Sequence, residues 1–191
     1  MSNMGTVTTN LLTFEEFERL PIHEEPGKRE LLEGELIQLP VPGLEHSEFG
    51  HAIYHWLRDA LTAAHARGEA VELGKVYIEA GYKLAGRSYV RPDVSITHAA
   101  QAHAKYLNDA PAIAIEVISE SNMAKDMEKK VVLYCRHGAR QVWHVYRDPV
   151  HIVVHLPDRT SRTVLEGSLA TPLLPRFELR LAALEALIEK P

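Results

Sequence analysis

Three residues in one stretch of the chain have the types and spacing to do chemistry. Asp93 stands at the start of a strand-like segment, R-P-D-V-S-I. Glu116 interrupts the apolar run A-I-A-I-E-V-I. Lys130 follows in K-D-M-E-K-K-V-V-L-Y. Two carboxylates at strand ends give hard oxygen ligands for Mg²⁺ or Mn²⁺. A metal there polarises a phosphate oxygen and lowers the pKa of a bound water, and an adjacent lysine stabilises charge building on phosphorus or positions the attacking water. The same three residues also fit a buried structural ion pair in a protein of another function. Both readings stand on these residues alone.

The elements around them bear on the choice. The run 112–118 is nearly continuously apolar, the pattern of a strand covered on both faces and hence central. Alternation puts Ala114, Glu116 and Ile118 on one side, with Ile113, Ile115 and Val117 on the other. A carboxylate in such a strand is protonated, paired or metal-bound, because an unpaired buried charge costs several kcal/mol. The helix expected over residues 123–137 supplies the partner. Met123, Met127, Val131 and Tyr134 define its apolar face, and Lys130 projects within that face while Lys125 and Lys129 point away. Asp126, four residues before Lys130, is a competing partner.

The rest of the chain reads as alternating helices and strands. Residues 11–20 form a short amphipathic helix with a capping box from Thr13 to Glu16, ended by Pro21. Residues 23–28 form a polar loop containing Pro26-Gly27. Residues 29–39 form a hairpin turning at Glu33-Gly34. Glu30, Glu33 and Glu35 crowd there, and residue type alone favours solvated charges over an extra acid at the Asp93 site. The longest helix covers residues 46–67, with Phe49, Ile53, Trp56, Leu57, Ala60, Leu61 and Ala64 on one face. His46 lies on that face at the first turn, where it is either a hydrogen-bonded structural histidine or one facing a substrate phosphate.

One or two strands follow over residues 71–84, and another over 88–97, with Pro92 marking an edge or bulge beside Asp93. Residues 98–109 are irregular with a helical turn. Residues 141–146 form a core strand, 151–156 its hairpin partner, 162–165 a shorter strand, 177–181 an extended piece, and 182–188 a terminal helix. The expected organisation is a short lead over residues 1–10, then one α/β domain over 11–191.

Composition narrows the function class. The net charge of −5 argues against non-specific coating of nucleic acid, though not against a local basic groove. The single cysteine, Cys135, excludes an internal disulfide and a multi-cysteine metal site. The eleven histidines are scattered, so zinc is not expected. No apolar run reaches the roughly 20 residues of a membrane span, and a cytoplasmic location fits.

The motifs also resemble a known group. P-D, then E-x-I in an apolar strand, then a lysine on the next helix, resembles the P-D-(D/E)-x-K nuclease superfamily, with Ile118 at the usual lysine place and the lysine displaced to Lys130. More closely, the chain is similar to the Uma-two family of restriction-endonuclease-like proteins. The similarity rests on F-E-E-F, R-E-L-L-E-G-E-L-I, the E-H opening the long helix, V-R-P-D-V-S-I, I-E-V-I-S-E-S-N, D-M-E-K-K-V-V-L-Y-C-R-H-G, V-W-H-V-Y and L-L-P-R-F, over residues 13–188. The resemblance implies a restriction-endonuclease-like mixed central sheet flanked by helices, with added β-hairpins. It implies a metal-dependent DNA endonuclease with Asp93, Glu116 and Lys130 at the site, Glu30 and His46 beside them, and Asp93, Glu116 and Val117 as the metal-holding positions. DNA is then the substrate, and a homodimer suits a nuclease that cuts both strands. A non-catalytic nucleic-acid or protein-binding module on the same fold is the alternative.

Overall fold

The computed structural model describes residues 11–21, 27–102, 105–119 and 123–188. The expected lead over residues 1–10, most of the 23–28 loop and part of the turn after Ser119 lie outside them. In chain order the elements are α1 (Phe14–Glu18), β1 (Lys28–Leu32), β2 (Glu35–Leu39), α2 (Leu44–Ala66), β3 (Leu73–Ile78), β4 (Tyr82–Leu84), β5 (Ser88–Val90), β6 (Val94–His98), β7 (Leu107–Asn108), β8 (Ile113–Ile118), α3 (Ala124–Arg136), β9 (Gln141–Arg147), β10 (Val150–His155), β11 (Ser161–Val164), β12 (Ser168–Ala170), β13 (Glu178–Arg180) and α4 (Leu181–Ile188).

The main sheet has six strands in the order β11-β10-β9-β8-β6-β3. β8 and β9 run parallel, joined by the crossover helix α3, and the other neighbours are antiparallel. The apolar run of β8 is central because both its faces are covered. Ile113, Ile115 and Val117 pack with Phe49, Ile53 and Leu57 of α2 and Leu184 of α4. On the other face, Ala114 packs with Leu133 and Tyr134 of α3.

A second sheet, ordered β2-β1-β5-β4-β7, closes over the α3 side. Leu32, Tyr82, Leu84 and Val90 join the core that holds Leu133 and Tyr134, and Tyr82 Oη donates to Ser95 Oγ at 2.8 Å, tying the two sheets together. Helix α1 seals the outside through Phe14 against Leu31 and Tyr89. Its capping box is present, with both the Thr13 and Glu16 side chains closing on main-chain N–H groups. The β1–β2 turn places Glu33 at φ 53° and Gly34 at φ 94°, the doubly left-handed backbone that suits a two-residue hairpin.

Four expectations change. Residues 88–97 are two strands in two different sheets, because the chain breaks at Arg91-Pro92-Asp93 and crosses from β5 to β6. Residues 98–109 contain the short strand β7 as well as a single turn closed by the Gln101 N–H on the His98 carbonyl. The strand β12 has no counterpart in the sequence pattern. On α3, Met123 is exposed at 65% and the buried set is Met127, Lys130, Leu133 and Tyr134.

Candidate active site

The break between β5 and β6 sets Asp93 at the seam of the two sheets. Its carboxylate is 7% exposed and fully engaged. Oδ1 accepts from Lys28 Nζ at 3.0 Å, and Oδ2 accepts the Val117 main-chain N–H at 2.8 Å, with His46 Nε2 at 3.4 Å. Burial pushes this carboxyl up, but the Lys28 charge, the His46 contact and Lys130 together hold it well below the usual carboxylate range. Burial works against the charge on Lys28 too, yet Asp93, Glu30 and Glu116 outweigh it and keep the ammonium protonated.

Behind this pair lies a second, drier one. Lys130 is 1% exposed, with Nζ 2.7 Å from Glu116 Oε1 and 3.0 Å from Glu30 Oε2. Glu116 Oε1 also accepts from the Tyr134 hydroxyl at 2.7 Å, and Glu30 Oε1 accepts the Arg91 main-chain N–H at 2.7 Å. Burial raises the Glu116 carboxyl, the Lys130 charge opposes this, and nearby Asp93 adds to the rise. For Lys130, burial favours losing the proton, and Glu116 and Glu30 overcome it.

The structure therefore brings Asp93, Glu116, Lys130, Glu30 and His46 into one cluster. The preference for solvated charge at all three hairpin glutamates fails for Glu30, which is fully buried. Glu33 and Glu35 are surface partners of Arg136 and Lys129. The reason is strand alternation: Lys28, Glu30 and Leu32 share the face that packs toward α3. Asp126 is not the partner of Lys130, whose ion pairs go to Glu30 and Glu116. Val117 buries its side chain in the α2 core at 1% exposure, so only its main chain can serve a site.

A cleft of about 130 Å³ opens over these groups. Lys28, His46, Asp93, Glu116 and Arg147 are among the residues that line it. Lys130 is not on its wall and lies beneath the acids. Lys28 is thus the lysine that meets the cleft.

A family profile described as putative restriction endonuclease, Uma2, matches residues 14–183. The chain belongs to the Uma2 family. A similar solved structure is that of a putative nuclease belonging to DUF820 from Anabaena variabilis ATCC 29413. Its TM-score is 0.79 with 19% identity, covering 93% of this chain and 99% of that one. At that identity the likeness establishes the mixed α/β fold. Among curated proteins there is no match.

In this Uma2 protein, residue patterns alone do not reveal Lys28, the hydroxyl of Tyr134 or Arg147 as members of the site. Lys28 follows Pro26-Gly27 and reads as the end of a loop. The signal that locates it is conditional: once Glu30 faces inward, the residue two places earlier on the strand faces inward as well. Tyr134 projects onto the apolar face of α3, but a buried tyrosine also requires an acceptor, and Glu116 provides one.

Proposed function

We propose that this chain is a metal-dependent DNA endonuclease that hydrolyses phosphodiester bonds with water. The observation that carries this reading is the pairing of Asp93 and Glu116 on one cleft wall above a buried lysine, within a Uma2 chain. Among the described residues, no group of three or more His, Cys, Asp or Glu side chains is placed to hold a metal ion. Mg²⁺ does not need one, since it is commonly bound through one or two carboxylates, retained waters and substrate phosphates. Asp93 and Glu116, with the Val117 main-chain carbonyl, fit that demand for hard oxygen. Mg²⁺ or Mn²⁺ held there would polarise a phosphate oxygen and acidify a bound water.

The chain's own residues divide the remaining work. Lys130 and Tyr134 hold Glu116 in place from beneath. Glu30 fixes Lys130 and, through the Arg91 N–H, the segment that carries Asp93. Lys28 and His46 meet the cleft and can contact a phosphate oxygen. Such charged donors, aimed where negative charge develops, are usually the largest contribution to catalysis.

The test is cleavage of supercoiled plasmid in Mg²⁺ or Mn²⁺. Asp93→Asn and Glu116→Gln are each expected to reduce nicking by roughly a hundredfold or more. Cleavage that persists in both variants, or in excess chelator, overturns the assignment. One observation favours the non-catalytic binding module instead: the Lys28 ammonium already sits on Asp93 Oδ1 at 3.0 Å. That reading expects no calorimetric Mn²⁺ signal together with measurable oligonucleotide binding.

A further inference from the structure

The cleft over Asp93 has a neighbour. A second cleft, lined by His46, Ser47, Gly50, His51, Glu79 and Arg91 among others, shares His46, Glu79 and Asp93 with the first. The two therefore flank the same three side chains, His46, Glu79 and Asp93. Each cleft carries one arginine, Arg147 at the end of β9 and Arg91 just after β5.

Both arginines are held differently from the lysines. Lys28 and Lys130 are tied to carboxylates that are themselves buried. Arg147 Nη1 reaches Glu45 at 3.0 Å, and that glutamate side chain is 68% exposed. The buried Nε of Arg147 has no hydrogen-bond partner among the described residues. Arg91 Nη2 reaches Glu79 at 3.2 Å, and that side chain is 41% exposed, while Nε donates to the Glu79 main-chain carbonyl at 3.3 Å and steadies the guanidinium. Ion pairs whose carboxylate faces solvent are worth only about 0–1 kcal/mol, so an incoming anion can replace the exposed Glu45 carboxylate at little cost, and the half-buried Glu79 carboxylate at somewhat more. Arginine's planar fork matches a phosphate in two-point contact. Glu45 also stands in the first turn of α2, where the helix dipole favours negative charge, and a phosphate taking its place meets the same field.

We infer that Arg147 and Arg91 are phosphate-binding subsites on either side of the reaction centre. They hold the backbone of one nucleic-acid strand laid across His46 and Asp93, with Glu45 and Glu79 as exchangeable stand-ins for phosphate. This rests on the nuclease reading above and adds how the polymer is gripped. It also gives a chain whose net charge is −5 two local cations with which to take phosphate, each masked until the strand arrives.

The test is fluorescence anisotropy with a labelled DNA oligonucleotide in chelator, titrated with salt so that no cleavage occurs. Each phosphate contact contributes about −0.9 to the slope of log K against log salt for duplex, or about −0.7 for a single strand. Arg147→Gln and Arg91→Gln are each expected to weaken binding roughly tenfold and to flatten the slope by about one contact. Glu45→Gln and Glu79→Gln, which unmask the arginines, are expected to tighten it. Circular dichroism checks that each variant is folded. Binding by the wild type with affinity and slope unchanged in both arginine variants overturns this inference and leaves the nuclease reading standing. No binding of duplex or single strand by the wild type also overturns this inference, while plasmid cleavage in metal decides the nuclease reading separately.

Discussion

Lys130→Met separates a charge that merely fills the core from one that holds the acids. Three buried carboxylates, Glu30, Asp93 and Glu116, face two buried ammonium groups, Lys28 and Lys130. Removing Lys130 leaves three against one, with Glu116 and Glu30 stripped of their shared counter-charge. Breaking a buried pair in this way costs about 3–5 kcal/mol, a large share of a typical total of about 5–15 kcal/mol. The loss depends on pH. Without Lys130, burial and Asp93 push the Glu116 carboxyl up, opposed only by the more distant Lys28 charge and the Tyr134 hydroxyl. A carboxyl whose folded pKa lies above its unfolded value of about 4.3 adds stability fully present below that value and lost as pH rises through the folded one. The deficit of the variant relative to wild type is therefore largest at alkaline pH and shrinks toward about pH 5. Glu116→Gln is the control. The amide oxygen still accepts from Tyr134, and Lys130 keeps Glu30, so the cost is expected to be about 1 kcal/mol or less. Urea unfolding followed by the fluorescence of the buried Trp143, at several pH values, measures both. A Lys130→Met deficit under about 1 kcal/mol, or one that does not change with pH, refutes this balance of charges.

Other outcomes follow from the same geometry. Lys28→Met removes the cation on Asp93 Oδ1. It is expected to tighten Mn²⁺ binding by about tenfold, about 1.4 kcal/mol, while lowering cleavage, as read by calorimetry and plasmid nicking. His144 is 4% exposed and burial, helped by His155 and Lys130, lowers its pKa from 6.5 to about 3. Between those values the unfolded chain binds the extra proton, so stability falls as pH drops through that window. His144→Phe is expected to flatten the acid limb of a urea-midpoint profile by a few kcal/mol, at about 1.4 kcal/mol for each tenfold change in proton affinity. Gly34→Ala forces a side chain into φ 94° with its Cβ 2.9 Å from Leu11 Cβ. A loss of about 1–3 kcal/mol is expected, seen as a thermal midpoint lower by several degrees.

What is legible in the sequence is whatever local rules decide. The Thr13–Glu16 capping box, the Glu33-Gly34 turn, the buried face of α2 and the central position of β8 each rest on residues within a few places of one another. Lys130 is legible too, because a helical projection alone turns it inward. The site's other half depends on how distant strands are laid together. Lys28 reaches Asp93 across 65 residues of chain, and Glu30 reaches Lys130 across 100. Nothing local distinguishes Glu30 from Glu33 or Glu35. The family resemblance, rather than residue type, points to it. The break at Arg91-Pro92-Asp93 is half visible, since Pro92 marks an interruption, but only the second sheet turns that interruption into a change of direction.

The seam explains why the cations differ in kind. A carboxylate cluster beneath a cleft needs positive charge to fold, and under the nuclease reading also needs positive charge that can be handed to a substrate. One lysine cannot do both, because a cation fixed strongly enough to neutralise buried acids is not free to move. The fold separates the tasks by depth. Lys130, at 1% exposure, neutralises Glu30 and Glu116 permanently. Lys28, on the cleft wall, neutralises Asp93, and under the nuclease reading a metal ion would compete with it for Asp93. Arg147 and Arg91, whose carboxylate partners Glu45 and Glu79 lie at the rim, would be the most easily exchanged under that reading. Under the nuclease reading, disruption at the deepest level acts first on stability, at the middle level on metal affinity, and at the rim on the salt dependence of binding. If Arg147→Gln destabilised the fold as much as Lys130→Met, this ordering by depth would be wrong, since an ion pair to a 68% exposed glutamate cannot carry that much stability.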